Sequence, residues 1–382
     1  MKVKMLVICT VIISSLLFFS CKSEIAKTDH NASIINNDND SNITQNDSLS
    51  HSSLIYNLKK EIKPADEFIK FQKLIFPEEI DGKTLSVLGF LDKKTTLLLL
   101  FEENPFPNLK EIGTYNFELN NYDKLFETRE DISIRFCDYN TEYIVFQEIN
   151  DDTSDVELKV FDFKTRSISS IYKYNKEYLD SSLADSNKVT LKGKKLFFDD
   201  IIIKNDVMDV ELYCTELDNM QTSKIKDEKQ NPMLYNDEII VIGKSSGSKY
   251  DSLLSLDGGH ILRLPSNVIE MFPTDTRIYS LNNKYTDSEI KETTLSISDL
   301  ILDEELLDTK APIDNLEAND VFMSWRNFKY EKPVLYYAKE DKFLIFDQIP
   351  KRYNLFYFYE SSGLLLNYND KGEEAYYYFI VK

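Results

Sequence analysis

A two-strand pattern recurs along this chain and limits the folds that it can adopt. The clearest copy runs from Glu157 to Tyr172 (ELKVFDFKTRSISSIY), where two apolar runs flank a turn near Lys164 and Thr165. Similar units occupy 111–126, 211–225, 251–264, 294–307 and 333–346. Short runs of β-branched and aromatic residues between Asn, Asp, Lys and Gly turns are typical of an all-β protein.

The spacing of these units indicates which all-β fold is formed. Their starts lie roughly 40 to 55 residues apart, which is the length of a four-stranded propeller blade. Another strand precedes most of them, such as Tyr143 to Ile149 before the unit at Glu157. The chain from Thr84 onward therefore predicts a six- or seven-bladed β-propeller, with an irregular β-sandwich as the alternative.

The units resemble the outer half of blades in TolB-like and WD40-like propellers, where an Asp-rich hairpin closes each blade. The resemblance covers most of residues 84–382. The Pro-x-Trp-Ser-Pro-Asp-Gly turn of TolB-like blades is absent, since Trp325 is the only tryptophan, and the whole chain has only ten glycines. Asn and Asp are therefore expected at the turn positions that need a positive φ.

A short helix is predicted just before the propeller. Residues 64–76 (PADEFIKFQKLIF) place Phe68, Phe71, Leu74 and Ile75 at helical spacing, after a proline and two acids.

The first twenty residues have the organisation of an export signal. Lys2 and Lys4 precede an uncharged run from Met5 to Ser20, most of which is large and apolar. A spanning helix needs about 20 apolar residues, so a permanent transmembrane helix is the less favoured interpretation.

Residues 17–21 (LFFSC) resemble the lipobox of bacterial lipoproteins, in which a small residue precedes the cysteine that becomes the mature N-terminus. Ser20 and Cys21 match, whereas Phe18 and Phe19 resemble the looser pattern of some diderm lineages. The resemblance implies cleavage before Cys21, diacylglycerol on its sulfur and usually a third acyl chain such as palmitate. It also implies attachment to a membrane of the bacterial cell envelope, at the outer membrane or cell surface in a diderm. A secreted protein cut near Ser20 is the alternative.

The segment between Cys21 and residue 55 is rich in Asn, Asp and Ser and has no aromatic residue. Such a segment buries too little apolar surface to offset the entropy of ordering it, so a flexible tether is predicted. Its length corresponds to a reach of about 30 Å. The predicted organisation is a signal peptide over 1–20, a lipidated Cys21 with a tether over 21–55, and one propeller domain over 56–382.

Several classes of site have no support in the sequence. His30 and His51 fall in the tether, so His260 alone cannot build a histidine-based metal centre in the domain. His260 lies in a predicted turn and no G-x-S-x-G motif occurs, which argues against a catalytic triad. The stretch 243–248 (GKSSGS) does not match a phosphate-binding glycine motif and is interpreted as a hairpin loop. We predict no catalytic residue, no metal and no cofactor.

Cys137 and Cys214 are the two cysteines of the domain. Both lie inside strand-like runs of neighbouring or next-neighbouring blades. Free buried thiols are favoured, although the compartment beyond the inner membrane permits a disulfide.

Acidic residues dominate the charge of the domain. The formal net charge is −20, and residues 1–55 hold four lysines against five acids, so the domain carries nearly all of it. Such a field disfavours nucleic acid and anionic lipid as partners. The acidic stretches 150–155 and 299–305 lack EF-hand spacing and are interpreted as solvated turns. The aromatic stretches 353–359 and 376–379 are interpreted as core strands, apolar on both sides.

The sequence favours a membrane-tethered, non-enzymatic module that uses a propeller face to bind a protein or a polysaccharide. The alternative is a lipid-anchored hydrolase that acts on glycans with two carboxylates, since such a pair could lie among sixty-five acids. A structural lipoprotein without a ligand is the third option. Cys21 is the one residue to which the sequence assigns a role.

Overall fold

The computed structural model of the chain describes residues 56–77, 79–102, 108–150, 152–174, 188–204, 207–227, 229–243, 251–285, 293–310, 313–350, 352–368 and 374–382. The predicted signal peptide, Cys21 and the predicted tether lie outside the described residues. The described part forms one compact unit, Tyr56–Lys382. Within it, no helix is long and apolar enough to cross a membrane.

The described chain begins with residues 56–74, which we call the N-terminal strap. It consists of β1 (Tyr56–Leu58), β2 (Glu61–Pro64), the helix α1 (Ala65–Phe68) and β3 (Ile69–Leu74).

Seven antiparallel blades complete the fold, which is a β-propeller. Blade 1 contains β4 (Glu79–Ile80), β5 (Lys83–Phe90), β6 (Thr95–Glu102), β7 (Asn108–Asn116) and β8 (Asn121–Glu127). Blade 2 contains β9 (Ile132–Tyr139), β10 (Tyr143–Asn150), β11 (Val156–Asp162) and β12 (Ser167–Lys173). Blade 3 contains β13 (Val189–Lys192), β14 (Lys195–Lys204), β15 (Val207–Glu216) and β16 (Gln221–Asp227). Blade 4 contains β17 (Lys229–Tyr235), β18 (Glu238–Gly243), β19 (Ser252–Ser255) and β20 (His260–Arg263).

The last three blades have the same arrangement. Blade 5 contains β21 (Val268–Pro273), β22 (Ile278–Tyr285), β23 (Thr293–Asp299) and β24 (Glu304–Thr309). Blade 6 contains β25 (Ile313–Ala318), β26 (Phe322–Glu331), β27 (Val334–Tyr337) and β28 (Lys342–Ile345). Blade 7 contains β29 (Arg352–Tyr359), β30 (Ser362–Tyr368) and β31 (Glu374–Val381). We call the successive strands of a blade A to D from the axis outward; in blade 1 these are β5 to β8.

The N-terminal strap completes the ring. Its strand β3 pairs antiparallel with β31 and becomes strand D of blade 7. Its other strands add a fifth strand to two neighbours, β1 antiparallel to β24 of blade 5 and β2 parallel to β28 of blade 6. The ring is therefore closed by strand pairing between two distant parts of the sequence.

The predicted helix over 64–76 is wrong beyond Phe68. Only Ala65–Phe68 is helical, and Ile69–Leu74 is the strand that pairs with β31. Ile75, which helical spacing would place on the apolar face, is 93% exposed. Tertiary strand pairing overrides the local helical pattern here.

The repeated units of the sequence are the C–D hairpins of blades 1 to 6, which confirms the predicted propeller with seven blades. The prediction for the turns is also confirmed. Seven of the eleven non-glycine residues with a positive φ among the described residues are Asn or Asp, including Asn120, Asp303 and Asp341 at C–D turns.

Apolar clusters fill the spaces between blades. On one side of blade 7, Phe356 and Phe379 pack with Phe322 of blade 6. On its other side, Tyr357 and Tyr376 belong to a cluster with strands of blade 1. The prediction that these aromatic strands are apolar on both sides is therefore confirmed.

Candidate functional site

The seven A strands surround the axis, and their exposure shows where solvent reaches the interior. In blade 2, strand β10 is buried from Tyr143 to Gln147, whereas the A strand β9 beside it is only half-buried from Ile134 to Tyr139. A propeller blade presents its A strand to the central channel. The A strands therefore line a channel that solvent enters.

The exposed residues of the A strands lie at one end of the channel. Because strands alternate in direction, the A–B and C–D turns lie on one face, which we call the lower face, and the B–C turns lie on the upper face. Exposed A-strand residues lie toward the upper face: Ser86, Ser133, Ile269 and Glu270. We call this opening and the walls below it the axial funnel.

A continuous belt of polar contacts joins the A–B turns at the lower end of the funnel. The Asn140 side-chain amide donates to the Gly193 carbonyl at 3.0 Å, and the Asn319 amide donates to the Glu360 carbonyl at 2.9 Å. The remaining blade pairs are joined by contacts of Phe90 with Tyr139, Lys192 with Asp237, Asp237 with Asp275, Thr276 with Asp320, and Lys93 with Glu360. Each of the seven blade junctions thus has a polar link at this end, and we call this belt the floor of the funnel.

Tyr139 fits into this floor because its neighbour in blade 1 is a glycine. A Cβ atom at Gly89 would lie 1.9 Å from the Tyr139 hydroxyl oxygen. The phenol therefore occupies space that any other residue at position 89 would fill.

Two half-buried carboxyl groups lie just above the floor, on opposite sides of the ring. Asp138, on β9 of blade 2, accepts hydrogen bonds from the Leu191 amide at 2.7 Å and from the Tyr139 amide at 2.8 Å. Burial raises the pKa of Asp138 to about 6. Burial also raises the pKa of Glu317, on β25 of blade 6, to about 7.

Glu317 differs from Asp138 in having no partner. No hydrogen bond or ion pair to its carboxyl group is present among the described residues, and burial alone accounts for its pKa. Burial and the charge of Glu317 raise the pKa of Tyr139, which lies across the axis. A carboxyl group with a pKa near neutrality can donate a hydrogen bond when protonated and accept one when ionised.

The other sequence candidates are not brought into the funnel as a catalytic set. His260 is exposed at the start of β20, and Cys137 and Cys214 are free thiols, as favoured by the sequence. No cluster of three or more His, Cys, Asp or Glu side chains suited to a metal ion occurs in the described part. Of the acidic stretch 299–305, Asp299 is buried, so the prediction of a solvated turn is wrong for this residue.

Asp138 and Glu317 have no direct signal in the sequence. Each is an acid within a strand, and the sequence predicts only that acids lie in solvated turns. The ring closure brings β9 and β25 to face one axis, although 173 positions separate them in the chain. An acid on the first strand of a blade, upstream of the repeated hairpin, is the one pattern that could have marked them.

Comparison with known proteins supports the fold. No protein-family model matches the chain, and no curated protein sequence does either. Similar solved structures include a prolyl endopeptidase, at 10% identity over 78% of this chain and 50% of that chain, with a TM-score of 0.50. They also include the β-propeller domain of the Trilobed protease from Pyrococcus furiosus, at 12% identity over 78% and 93% of the chains, with a TM-score of 0.49. An oligogalacturonate lyase from Vibrio parahaemolyticus matches at 11% identity over 82% and 97%, with a TM-score of 0.46. At 10% identity the similarity to the prolyl endopeptidase concerns the fold alone.

Proposed function

We propose that this protein is a lipid-anchored binding module of the bacterial cell envelope, and that its axial funnel takes a protein segment or a polysaccharide chain. The observation that carries the proposal is the unpartnered, half-buried carboxyl group of Glu317 above the polar floor. A half-buried carboxyl group that no protein group occupies can pair with a group of a ligand. Nucleic acid is excluded from the proposal because of the net charge of −20.

Glu317→Gln is expected to remove the pH dependence of ligand binding. A ligand that covers Glu317 would bury an ionised carboxylate at high pH, which costs more than burying the neutral acid. Affinity of the wild-type chain is therefore expected to fall between pH 6 and pH 8, by about tenfold at most. Titration of fluorescent oligosaccharide and peptide panels, followed by anisotropy, measures this change.

Glu142→Gln is the matched control for that experiment. Glu142 is exposed in the A–B turn of blade 2, below the funnel floor, and the substitution removes the same charge. Its binding profile should equal that of the wild type. An unchanged pH profile in Glu317→Gln would show that the ligand does not reach this carboxyl group.

A glycan-acting hydrolase is the second candidate, because a carboxyl group with a pKa of about 7 has the properties of a general acid. Such an enzyme needs a second carboxylate, and no other carboxyl group contributes to the Glu317 pKa among the described residues. A set of aryl glycosides distinguishes the two functions. Turnover by the full chain that Glu317→Gln abolishes would establish the hydrolase instead of the binding module.

Cys21→Ala is expected to release the protein from the membrane. The domain is acidic, and acyl chains contribute about 0.8 kcal/mol for each buried methylene, so two or three chains would provide the attachment. Metabolic labelling with a palmitate analogue and membrane fractionation measure the effect. Label and membrane association that persist in Cys21→Ala would contradict the anchor. Ser23→Ala, two residues further on, is the control variant and should keep both.

A further inference from the structure

Blade 3 is held to its neighbours by carboxyl groups. Asp199, on strand B of blade 3, is 2% exposed and accepts two backbone hydrogen bonds. One comes from the Lys188 amide beside its own A strand at 2.9 Å, and the other from the Asn231 amide on the A strand of blade 4 at 2.7 Å. Asp199 therefore joins blade 3 to blade 4.

Two more aspartates join blade 3 to blade 2. Asp138 of blade 2 accepts a hydrogen bond from the Leu191 amide, in the middle of the four-residue A strand of blade 3. The Tyr172 hydroxyl, on strand D of blade 2, donates to Asp200 of blade 3 at 2.8 Å. Both junctions of blade 3 thus depend on acids, of which Asp199 and Asp200 are buried and Asp138 is half-buried.

These aspartates lack cationic partners. No Lys or Arg forms an ion pair with Asp138, Asp199 or Asp200 within the described ranges. Asp200 interacts with Tyr172 and Glu211, and Asp199 interacts with Asp200. The tyrosines beside these aspartates are Tyr139, Tyr172, Tyr174 and Tyr213, and no cation contributes to the pKa of any of these groups in the described part. The nearby Arg135 acts on the Cys137 thiol. Lys224 forms ion pairs with Glu211 at 2.7 Å and with Asp227 at 3.0 Å.

Blade 1 offers the contrasting case. Its buried carboxyl group, Glu111, lies 2.8 Å from Lys83 and 3.3 Å from Lys124. Burial acts to raise the pKa of Glu111, but hydrogen bonds from Lys83, Tyr122 and Lys124 outweigh it and lower the pKa below its ordinary value. The ionised form is the stable one in blade 1.

We propose that blade 3 is a proton-dependent joint of the propeller, firmly docked when its junction aspartates are protonated and more easily opened when they are ionised. Burial raises the pKa of Asp138 and Asp200 to about 6 and that of Asp199 to about 7. A raised native pKa contributes stability that is complete below the unfolded value and is lost as the pH rises through the native value. The joint therefore loosens progressively from about pH 4, the ordinary value for an aspartate, to about pH 7, the highest of the native values.

Hydrogen exchange of the full chain at pH 5.5 and pH 8.0 tests this joint. Rates are converted to protection factors, which removes the intrinsic pH dependence of exchange. Peptides that cover β13 and β14 should lose protection by more than about tenfold at pH 8.0. Peptides from blade 1, whose buried carboxyl group is paired with lysines, report any general effect of the net charge and should change less.

Two variants make the test specific. In Asp200→Asn the side-chain oxygen can still accept from Tyr172, so the variant should keep more protection than the wild type in blade 3, and the difference should be larger at pH 8.0 than at pH 5.5. Glu111→Gln removes an equally buried but paired carboxylate and should lower protection in blade 1 at pH 8.0. Equal losses of protection in blades 1 and 3 of the wild type would overturn the proposal. The proposal would also be overturned if the ratio of protection factors at pH 5.5 and pH 8.0 in blade 3 were the same in Asp200→Asn as in the wild type.

Discussion

Replacing Ile69 with aspartate is expected to open the ring of blades. Ile69 is 1% exposed on β3 and packs in the cluster that holds Leu344 and Phe379. The substitution removes a large apolar side chain from this cluster and places a carboxylate without a partner there. A loss of about 4 kcal/mol or more in the free energy of unfolding is expected, because β3 is the strand that closes blade 7.

Urea unfolding followed by tryptophan emission measures this loss. Trp325 is the only tryptophan, and its ring lies edge-on to Tyr56 of the N-terminal strap at 5.0 Å between centroids. Release of the strap therefore exposes the reporter. Gln72→Asp is the matched control, because Gln72 is exposed on the same strand and the charge change is identical. Equal urea midpoints for Ile69→Asp and the control would show that β3 does not hold the ring closed.

The C–D hairpins could be predicted from the sequence because each is a local structure. The unit from Glu157 to Tyr172 contains both strands and the turn between them, and the turn is formed by its own residues. Asp162 accepts hydrogen bonds from the Lys164 and Thr165 amides, and Arg166 takes the positive φ. Nothing outside the unit is needed to specify it.

Blade 7 could not be predicted in the same way, because its strand D comes from the other end of the described chain. The residues of β3 also satisfy a helical pattern, and only the pairing of Ile69 with Val381 to Leu74 with Tyr376 selects the strand. Local sequence carries no information on a partner that lies some 300 positions away.

The candidate site depends on the same closure. Glu317 belongs to the strand Ile313–Ala318. Nothing in the sequence of that strand indicates whether the Glu317 side chain is solvated or half-buried. Its pKa follows from the blades that surround it. The buried acids of blades 1 and 3 make the same point, since the partners of Glu111 lie 28 and 13 positions away along the chain. The positions of the acids are known from the sequence, but the packing of the blades in the ring determines which of them have partners.

Arg277→Met is expected to destabilise the junction of blades 5 and 6 by about 3 to 5 kcal/mol, because it leaves a buried charge without its partner. Arg277 donates to Asp299 at 2.9 Å and reaches blade 6 through the Tyr336 hydroxyl at 3.4 Å and the Ala338 carbonyl at 3.3 Å. The Asp299 side chain is 0% exposed. Chemical denaturation of the full chain gives the change in unfolding free energy.

A surface ion pair of nearly equal length provides the control for this prediction. Lys194 and Asp218 lie 2.8 Å apart, but their side chains are 49% and 67% exposed. Lys194→Met should therefore change the stability by less than about 1 kcal/mol, since water already solvates both charges. Asp299→Asn keeps the oxygen that accepts from the Ile301 and Leu302 amides, so adding it to Arg277→Met should recover most of the loss. Recovery would assign the loss to the uncompensated charge of Asp299, whereas a double variant as unstable as Arg277→Met would assign it to the lost contacts with Tyr336 and Ala338.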